Sequence, residues 1–552
     1  MVTSTALAYF VEKATERQEK NYSDALQRKN KVEACSYPVE EALNAKKTYP
    51  KLHVDTTDGV ATLIERLPSS GAVTEPVRLP RTYNAEDIQR YWQARPLSVA
   101  RRVGQIITEM TPLVLAYFRD FKLHDMISQM DDSRNDELLQ HAHAANLRAV
   151  LTRLGPAFVK MGQQLSIRPD LVPPPVLAEL QKLCDSVEPV PDSVAMEVLR
   201  EELGLETEEE IYEIFSDLHR VAAASLGQVY KAEVKETGQA VAIKIQRPDM
   251  LRRLSLDLFL LQMYGRIMDS ICSILTEQIP YHANFMDCFA QGSYMELDYE
   301  NEAANQMRFK SEFERRKCQV TVPSVHFEYT SVRVITSDWI DGTKLVDAPR
   351  DQIRRLIPVG VELFLTQLLD IGAFHSDPHP ANLYVTTSGQ LCLLDFGLCA
   401  EIDEQSRHAM TSAIVNLLSG DFDSLISKDA KELGFLPHEL DVTELKPILT
   451  KILTEGLLEA GSNLHTRKRK LMDISNELNE IFFRYPFEVP PFFALITRGL
   501  GLLEGIALSG DSEFDIFQAA GPYARKRAIE LFGAQFLKRK LQRRGTAQKS
   551  AV

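Results

Sequence analysis

Cysteine is scarce and scattered, with seven in 552 residues at positions 35, 184, 272, 288, 318, 392 and 399, an odd total without a Cys-x-x-Cys pair. That speaks against a disulfide framework and a thiolate zinc site, and favours a reducing compartment such as cytosol, mitochondrial matrix or plastid stroma. Long apolar runs are missing too. No uncharged stretch reaches roughly 18 residues, the length at which a membrane-spanning helix forms. The nearest, Leu356–Phe374 and Phe492–Gly510, are interrupted by Glu362 and Asp370 and by Arg498 and Glu504. No transmembrane span is expected, and both read as buried helices. Met1–Lys20 carries Glu12, Glu16 and Glu19, a poor secretory signal and a weak transit peptide. An excess of basic residues is also lacking. The formal charge of −14 argues against nucleic acid as a partner of the whole chain, because duplex affinity comes mainly from phosphate neutralisation by Lys and Arg.

What remains is the composition of a folded protein with a sizeable core, 44% apolar and 25% charged. Residues 1–82 are rich in Lys, Glu, Ser, Thr and Pro with weak periodicity, and read as a loosely ordered extension. A helical region follows over 83–218. Asn84 is its first N-cap, Pro96 separates two helices, and Pro112 bends the second. From Arg220 the period changes to two: Gln228–Val234 and Gln239–Ile245 alternate as strands around the turn Lys235-Glu-Thr-Gly238. Met250–Leu275 is helical, the next helix carries Met295 to Asn305, and Val320–Val325 and Val332–Ile340 are strands. The sheet-bearing part spans 219–341. Helical patterns fill 342–536, and 537–552 is a basic tail. Arg525–Lys549 holds nine Lys or Arg and one Glu, which suits either contact with an anionic membrane surface or a solvated end.

Three stretches carry chemistry. His375-Ser-Asp-Pro-His-Pro-Ala-Asn382, followed by Asp395-Phe-Gly397, places an Asp, an Asn five residues later and a second Asp thirteen beyond. Phosphoryl-transfer enzymes use this spacing, with Asp377 orienting the attacking oxygen while Asn382 and Asp395 hold a metal that bridges phosphates. The alternative is a turn with a solvated carboxylate. Val241-Ala-Ile-Lys244 brings a Lys out of an apolar strand, where it can contact phosphates. The loop before that hairpin, Ala222, Ala223, Ala224 and Ser225, is small enough for backbone to approach a ligand. Finally, six carboxylates or amides bunch between Glu296 and Asn305, a costly arrangement if buried without partners. Lys160 and Lys244 are suitable partners; a solvated acidic face is the other reading.

Together these residues resemble the UbiB or aarF-domain family of atypical kinases, the group that includes coenzyme Q biosynthesis kinase-like proteins. The likeness runs from about residue 84 to 530. Lys160-Met-Gly-Gln163 with Ser166 and Arg168-Pro-Asp170 is similar to its Lys-x-Gly-Gln element, Ala222–Ser225 to its Ala-rich nucleotide loop, and Glu296-Leu-Asp298 to its Glu-x-Asp element. The resemblance implies an α+β, atypical protein-kinase-like two-lobed fold with a helical N-terminal extension and helical additions to the large lobe. It implies ATP and Mg2+ as cofactors. Lys160 would pair with Glu296 and Lys244 with Glu302, and the Lys-x-Gly-Gln segment would fold over the cleft. Activity would be that of an atypical kinase or ATPase supporting prenylquinone or other isoprenoid lipid metabolism, with quinone-pathway proteins or lipid as partners and peripheral membrane contact. A genuine protein kinase and a nucleotide-sensing scaffold without turnover are the alternatives. The chain lacks the Ala-Pro-Glu activation segment of protein kinases, and its tail is basic where some bacterial relatives carry membrane spans. Trp339-Ile-Asp-Gly342 and Leu502-Leu-Glu-Gly-Ile-Ala-Leu508 look closest to the plastid and cyanobacterial branch, so a plastid location is expected, with mitochondrion as the alternative.

Overall fold

The computed structural model describes residues 78–127, 133–166, 172–184, 189–275, 282–376, 380–454, 491–511 and 514–533. The expected extension up to residue 77, Arg168-Pro-Asp170, Asp377 and the basic tail beyond residue 533 lie outside them. The chain divides into two compact units, Met1–Gly162 with Asp249–Met295, and Gln163–Pro248 with Glu296–Val552.

The first unit is helical among its described residues. Asn84 caps α1 (Ala85–Gln93) by accepting from the N–H groups of Glu86 and Asp87 at 3.0 and 3.1 Å, and so satisfies two of the donors a helix start leaves open. Ile88 and Trp92, four residues apart, face inward. Pro96 opens α2 (Pro96–Ile127), where its missing N–H costs nothing, and that helix continues through Pro112. The unit is completed by α3 (Ser133–Leu154), most of α4 (Pro156–Leu165), and, much later in the chain, α8 (Met250–Leu275) and α9 (His282–Met295). Polar ties join the distant pieces: Trp92 Nε1 donates to Ser255 Oγ at 3.2 Å, and Arg102 forms a two-pronged bond to Asp257 at 2.7 and 2.9 Å.

The second unit contains α5 (Pro174–Gln181), α6 (Asp192–Leu203) and α7 (Glu209–Ile214), then three strands: β1 (Phe215–Ala223), β2 (Gly227–Val234) and β3 (Gln239–Gln246). With β5 (Val334–Asp338) they form an antiparallel sheet in the order β1-β2-β3-β5. Alternation sets the register. Val241, Ile243 and Ile245 are essentially unexposed and pack with Tyr230, Ala232 and Val234 of β2, Leu199 of α6 and Ile211 of α7. A one-residue slip would turn this whole set to the other face. The expected hairpin therefore forms, and β1 is a third strand that was not anticipated.

The expected helix through Met295–Asn305 does not form as one piece. The break follows from Asp298, whose Oδ1 accepts from the N–H groups of Glu300 and Asn301 at 3.1 and 3.2 Å, so that α10 (Tyr299–Arg315) starts afresh there. Gln246 Nε2 holds the bend by donating to Leu297 O at 2.9 Å. The strands expected at Val320–Val325 and Val332–Ile340 are shorter: β4 (Val320–Thr321), an isolated bridge at Val325, and β5.

A second sheet has the order β4-β9-β8-β6, from β6 (Gly342–Lys344), β8 (Leu383–Thr386) and β9 (Leu391–Leu393), with β4 parallel to β9. The stretch Leu356–Phe374 is not a single helix either. α11 (Arg350–Thr366) gives way to a π-helical turn at Gln367–Ile371, Gly372 takes a left-handed φ of 77°, and β7 (Ala373–His375) pairs with β10 (Cys399–Glu401). The rest is helical: α12 (Glu404–Ser419), α13 (Leu445–Leu453), α14 (Pro491–Gly510) and α15 (Ile516–Phe532). The class is α+β. Among the described residues no helix is long and apolar enough to cross a membrane.

Candidate functional site

Strand β3 buries every second side chain and therefore turns Ala242, Lys244 and Gln246 the other way. Lys244 Nζ donates to both carboxylate oxygens of Glu302, at 2.9 Å each, and to Asp395 Oδ2 at 3.2 Å. Glu302 lies one turn into α10, its side chain 5% exposed, whereas that of Asp395 is 45% exposed. Burial alone would depress the lysine. The carboxylates of Asp395 and Glu302 beside it hold it well above its usual range. Burial likewise opposes ionisation of Asp395, yet the Lys244 ammonium, His375 and the Gly397 N–H, which donates to Oδ1 at 3.2 Å, bring it down to about 2. One cation thus stands between two carboxylates, and the cluster carries one surplus negative charge.

Backbone around Asp395 fixes that geometry. Asp395 has a left-handed φ of 59°, a conformation Asp tolerates better than most residues. The ring of His375 points at the carbonyl oxygens of Leu394 and Asp395, its Nε2–H as donor. Phe396 is fully buried, stacked on Phe309 with centroids 5.3 Å apart, and Asn305 Nδ2 donates to its carbonyl at 3.2 Å. Asp395 is therefore held on both sides by anchored residues.

Asn382 immediately precedes β8, and its carbonyl accepts from Leu394 N–H at 2.9 Å; β8 and β9 pair at Leu383 and Leu393. The hairpin thus brings the main chain of Asn382 next to the residue before Asp395. The chain is described up to Ser376, whose N–H donates to Leu398 O at 3.0 Å, and again from Pro380. Asp377 lies outside the described residues.

Ala222 and Ala223 end β1, while Ala224 and Ser225 make the turn to β2. The turn is closed by Ala224 N–H to Gly227 O at 2.7 Å and held by Arg247 Nε, which donates to Ala224 O at 3.1 Å. Gly227 is required here. A Cβ at that position would lie 2.6 Å from the Tyr299 hydroxyl and 2.7 Å from Ile245 O. The site thus assembles Lys244, Glu302 and Asp395 directly, with Asn382 and the Ala turn on adjoining elements. Glu296 is half-buried in the bend before α10, and Lys160 is buried on α4 in the other unit.

Several supporting residues escaped the sequence reading. Gln228, 1% exposed, accepts from Val190 N–H at 2.8 Å and donates to the Tyr230 hydroxyl, which donates to Asp192 at 2.7 Å. Asp338 ties β5 to Ser324, His326 and Gln239 at 2.9, 3.0 and 2.6 Å. Only the polar residues interrupting apolar strands hinted at them.

Residues 182–428 match the ABC1 atypical kinase-like domain. An uncharacterized protein of Synechocystis is 36% identical over 461 residues, covering 81% of this chain and 76% of that protein. The chain belongs to the ABC1 atypical kinase-like family. Its fold is accordingly kinase-like α+β. Other relatives of this family member are the Arabidopsis thaliana protein "ACTIVITY OF BC1 COMPLEX KINASE 3, chloroplastic", 36% identical over 81% of this chain, and a chloroplastic aarF domain-containing protein kinase of the same plant, 34% identical over 81%. The chain spans 60 and 61% of those two proteins.

Proposed function

We propose that this protein is a Mg-dependent, ATP-binding atypical kinase or ATPase that supports prenylquinone or other isoprenoid lipid metabolism in the plastid. The observation that carries the nucleotide reading is the Lys244–Glu302–Asp395 cluster. A lysine held fully charged by one buried carboxylate is fixed in space for phosphate oxygens, as in the kinase Lys–Glu pair. A second, half-exposed carboxylate supplies a hard oxygen ligand.

The residues fit magnesium in particular. Among the described residues no group of three or more His, Cys, Asp or Glu is placed to hold a metal. Mg2+ needs no such cage, since it binds through one or two protein oxygens, substrate phosphates and water. Asp395 would hold it, with Asn382 as the second ligand. Bound Mg-ATP supplies the transferable phosphoryl group. Lys244 positions phosphate oxygens, the Ala222–Ser225 turn covers them with main chain, and Asp377 orients the attacking oxygen and takes its proton. Lys160 and Glu296 are the remaining charged residues that the family resemblance assigns to nucleotide chemistry. A small-molecule acceptor or water is favoured over a protein, because after Gly397 the chain runs through only three residues of β10 before α12 begins, without room for a substrate-binding activation segment.

The chloroplastic and cyanobacterial relatives favour the plastid over the mitochondrion, and the quinone link follows the family resemblance. Steady-state hydrolysis of Mg-ATP tests the reading: Asp377→Asn and Asp395→Asn should each lower turnover by at least about 100-fold. Unchanged turnover in Asp395→Asn would sink it. Turnover that is absent in the wild type, together with Mg-ATP-dependent partner binding that survives Asp377→Asn but not Lys244→Ala, would mark the scaffold alternative. Quinone and tocopherol-like lipids measured in a loss-of-function strain test the metabolic assignment.

A further inference from the structure

Tyr299, the first residue of α10, is 1% exposed, and its hydroxyl has no hydrogen-bond partner among the described residues. Buried polar atoms are nearly always paired, so an orphan calls for an explanation. Phenylalanine would fill the same space without burying a hydroxyl.

Position suggests the reason. The hydroxyl sits directly against Gly227, where a Cβ would lie 2.6 Å from it, so the backbone that closes the Ala224–Gly227 turn rests on this oxygen. The same ring lies 5.1 Å from Lys244 Nζ. Tyr299 therefore touches both parts of the site that would meet a polyphosphate, the small-residue turn and the lysine. Its neighbours are fixed: Asp298 anchors the helix start, Gln246 anchors the preceding bend, and Glu302 follows one turn later. The turn is the one neighbour that a bound nucleotide would also meet.

We propose that Tyr299 is a positioning residue whose hydroxyl is held in reserve. It gains an oxygen acceptor only when the Ala224–Gly227 turn shifts onto a bound nucleoside triphosphate, and this couples turn closure to ligand binding. The inference rests on the nucleotide reading of the site. An unpaired donor raises the free energy of the ligand-free protein, and pairing it in the loaded protein adds that difference to the affinity.

The experiment compares wild type with Tyr299→Phe, which keeps the ring beneath Lys244. Melting of the ligand-free proteins and calorimetric titration with Mg-ATP are both measured. The variant should melt at a higher temperature without ligand, yet bind Mg-ATP about tenfold more weakly, the scale of one hydrogen bond. A wild type that fails to bind Mg-ATP overturns the nucleotide reading and the inference with it. If the wild type binds and the variant binds equally tightly, the role of Tyr299 is overturned while the site reading stands. A ligand-free variant that melts below wild type would mean the hydroxyl is already bonded, which also overturns it.

Discussion

Two buried ion clusters, one in each unit, show how structural and functional charge differ. In the first unit Arg102 faces Asp257 with two parallel bonds, its remaining donors go to Gln105 and the Leu154 carbonyl, and side-chain exposures are 15 and 3%. One cation meets one anion and every arm is occupied. In the second unit one lysine serves two carboxylates, and one of these is 45% exposed. The first arrangement is neutral and closed, so it holds helices together. The second is over-supplied with negative charge and open on one side, which suits it to accept a divalent cation with its phosphate ligands.

The largest effects should come from breaking either buried pair. Arg102→Ala leaves Asp257 buried and unpaired, at a cost of about 3–5 kcal/mol, read as a lower denaturation midpoint. Burial already pushes the Asp257 carboxyl upward against the pull of Arg102, so the variant should take up a proton there on folding. Lys244→Met leaves Glu302 buried without its cation, at a comparable cost of about 3–5 kcal/mol, and should abolish measurable Mg-ATP binding. Adding Glu302→Gln to Lys244→Met should recover much of the stability and none of the binding. Recovery of both would show the lysine to be structural only.

A pH titration sharpens the contrast. The Asp395 carboxyl is held near 2 in the folded protein, below its ordinary 3.8. Its stabilising contribution is therefore complete above about pH 4 and is lost as pH falls through 2. Lys244, raised well above 10.5, contributes throughout this window and loses its effect only in strong alkali. The stability gap between wild type and Asp395→Asn, measured as urea midpoints, should be constant between pH 5 and 8 and shrink towards pH 2. A gap that changes near neutrality would mean another group titrates there.

Much of this contrast was legible in the residues. Val241-Ala-Ile-Lys244 read as a strand delivering a lysine because two-residue alternation is a local property, and Asn84 read as a cap because the bond it makes spans only two or three residues. β1 was missed because its alternation fails after Leu218, where His219, Arg220, Val221 and Ala222 are all exposed on this edge strand, and bulges interrupt its pairing. β7 and β10 are three residues each and exist only because they pair with one another. The break at Asp298 was hidden in a run of acids, any of which could have been a helix residue. Spacing alone did not single out Glu302 from the six polar residues; the family resemblance did, and Glu302 is the one bonded to Lys244.

The smallest effect concerns thiols. Cys392 and Cys399 are buried, and burial pushes both upward, Cys392 to about 12. Cys272 and Cys288 are half-exposed. Maleimide at pH 8 should label Cys272 and Cys288 in the native protein and reach Cys392 and Cys399 only after unfolding, as mass mapping would show. Early labelling of Cys399 would indicate that β10, which leads away from Asp395, opens readily.

The most direct test of the central claim is a calorimetric titration of Mg-ATP into wild type, Lys244→Met and Arg102→Lys, repeated with EDTA. The charge asymmetry predicts saturable binding in the wild type that needs the metal, is lost in Lys244→Met and is retained in Arg102→Lys. Binding of equal strength in wild type and Lys244→Met, or binding indifferent to EDTA, would contradict the assignment of the Lys244–Glu302–Asp395 cluster as the seat of a magnesium nucleotide.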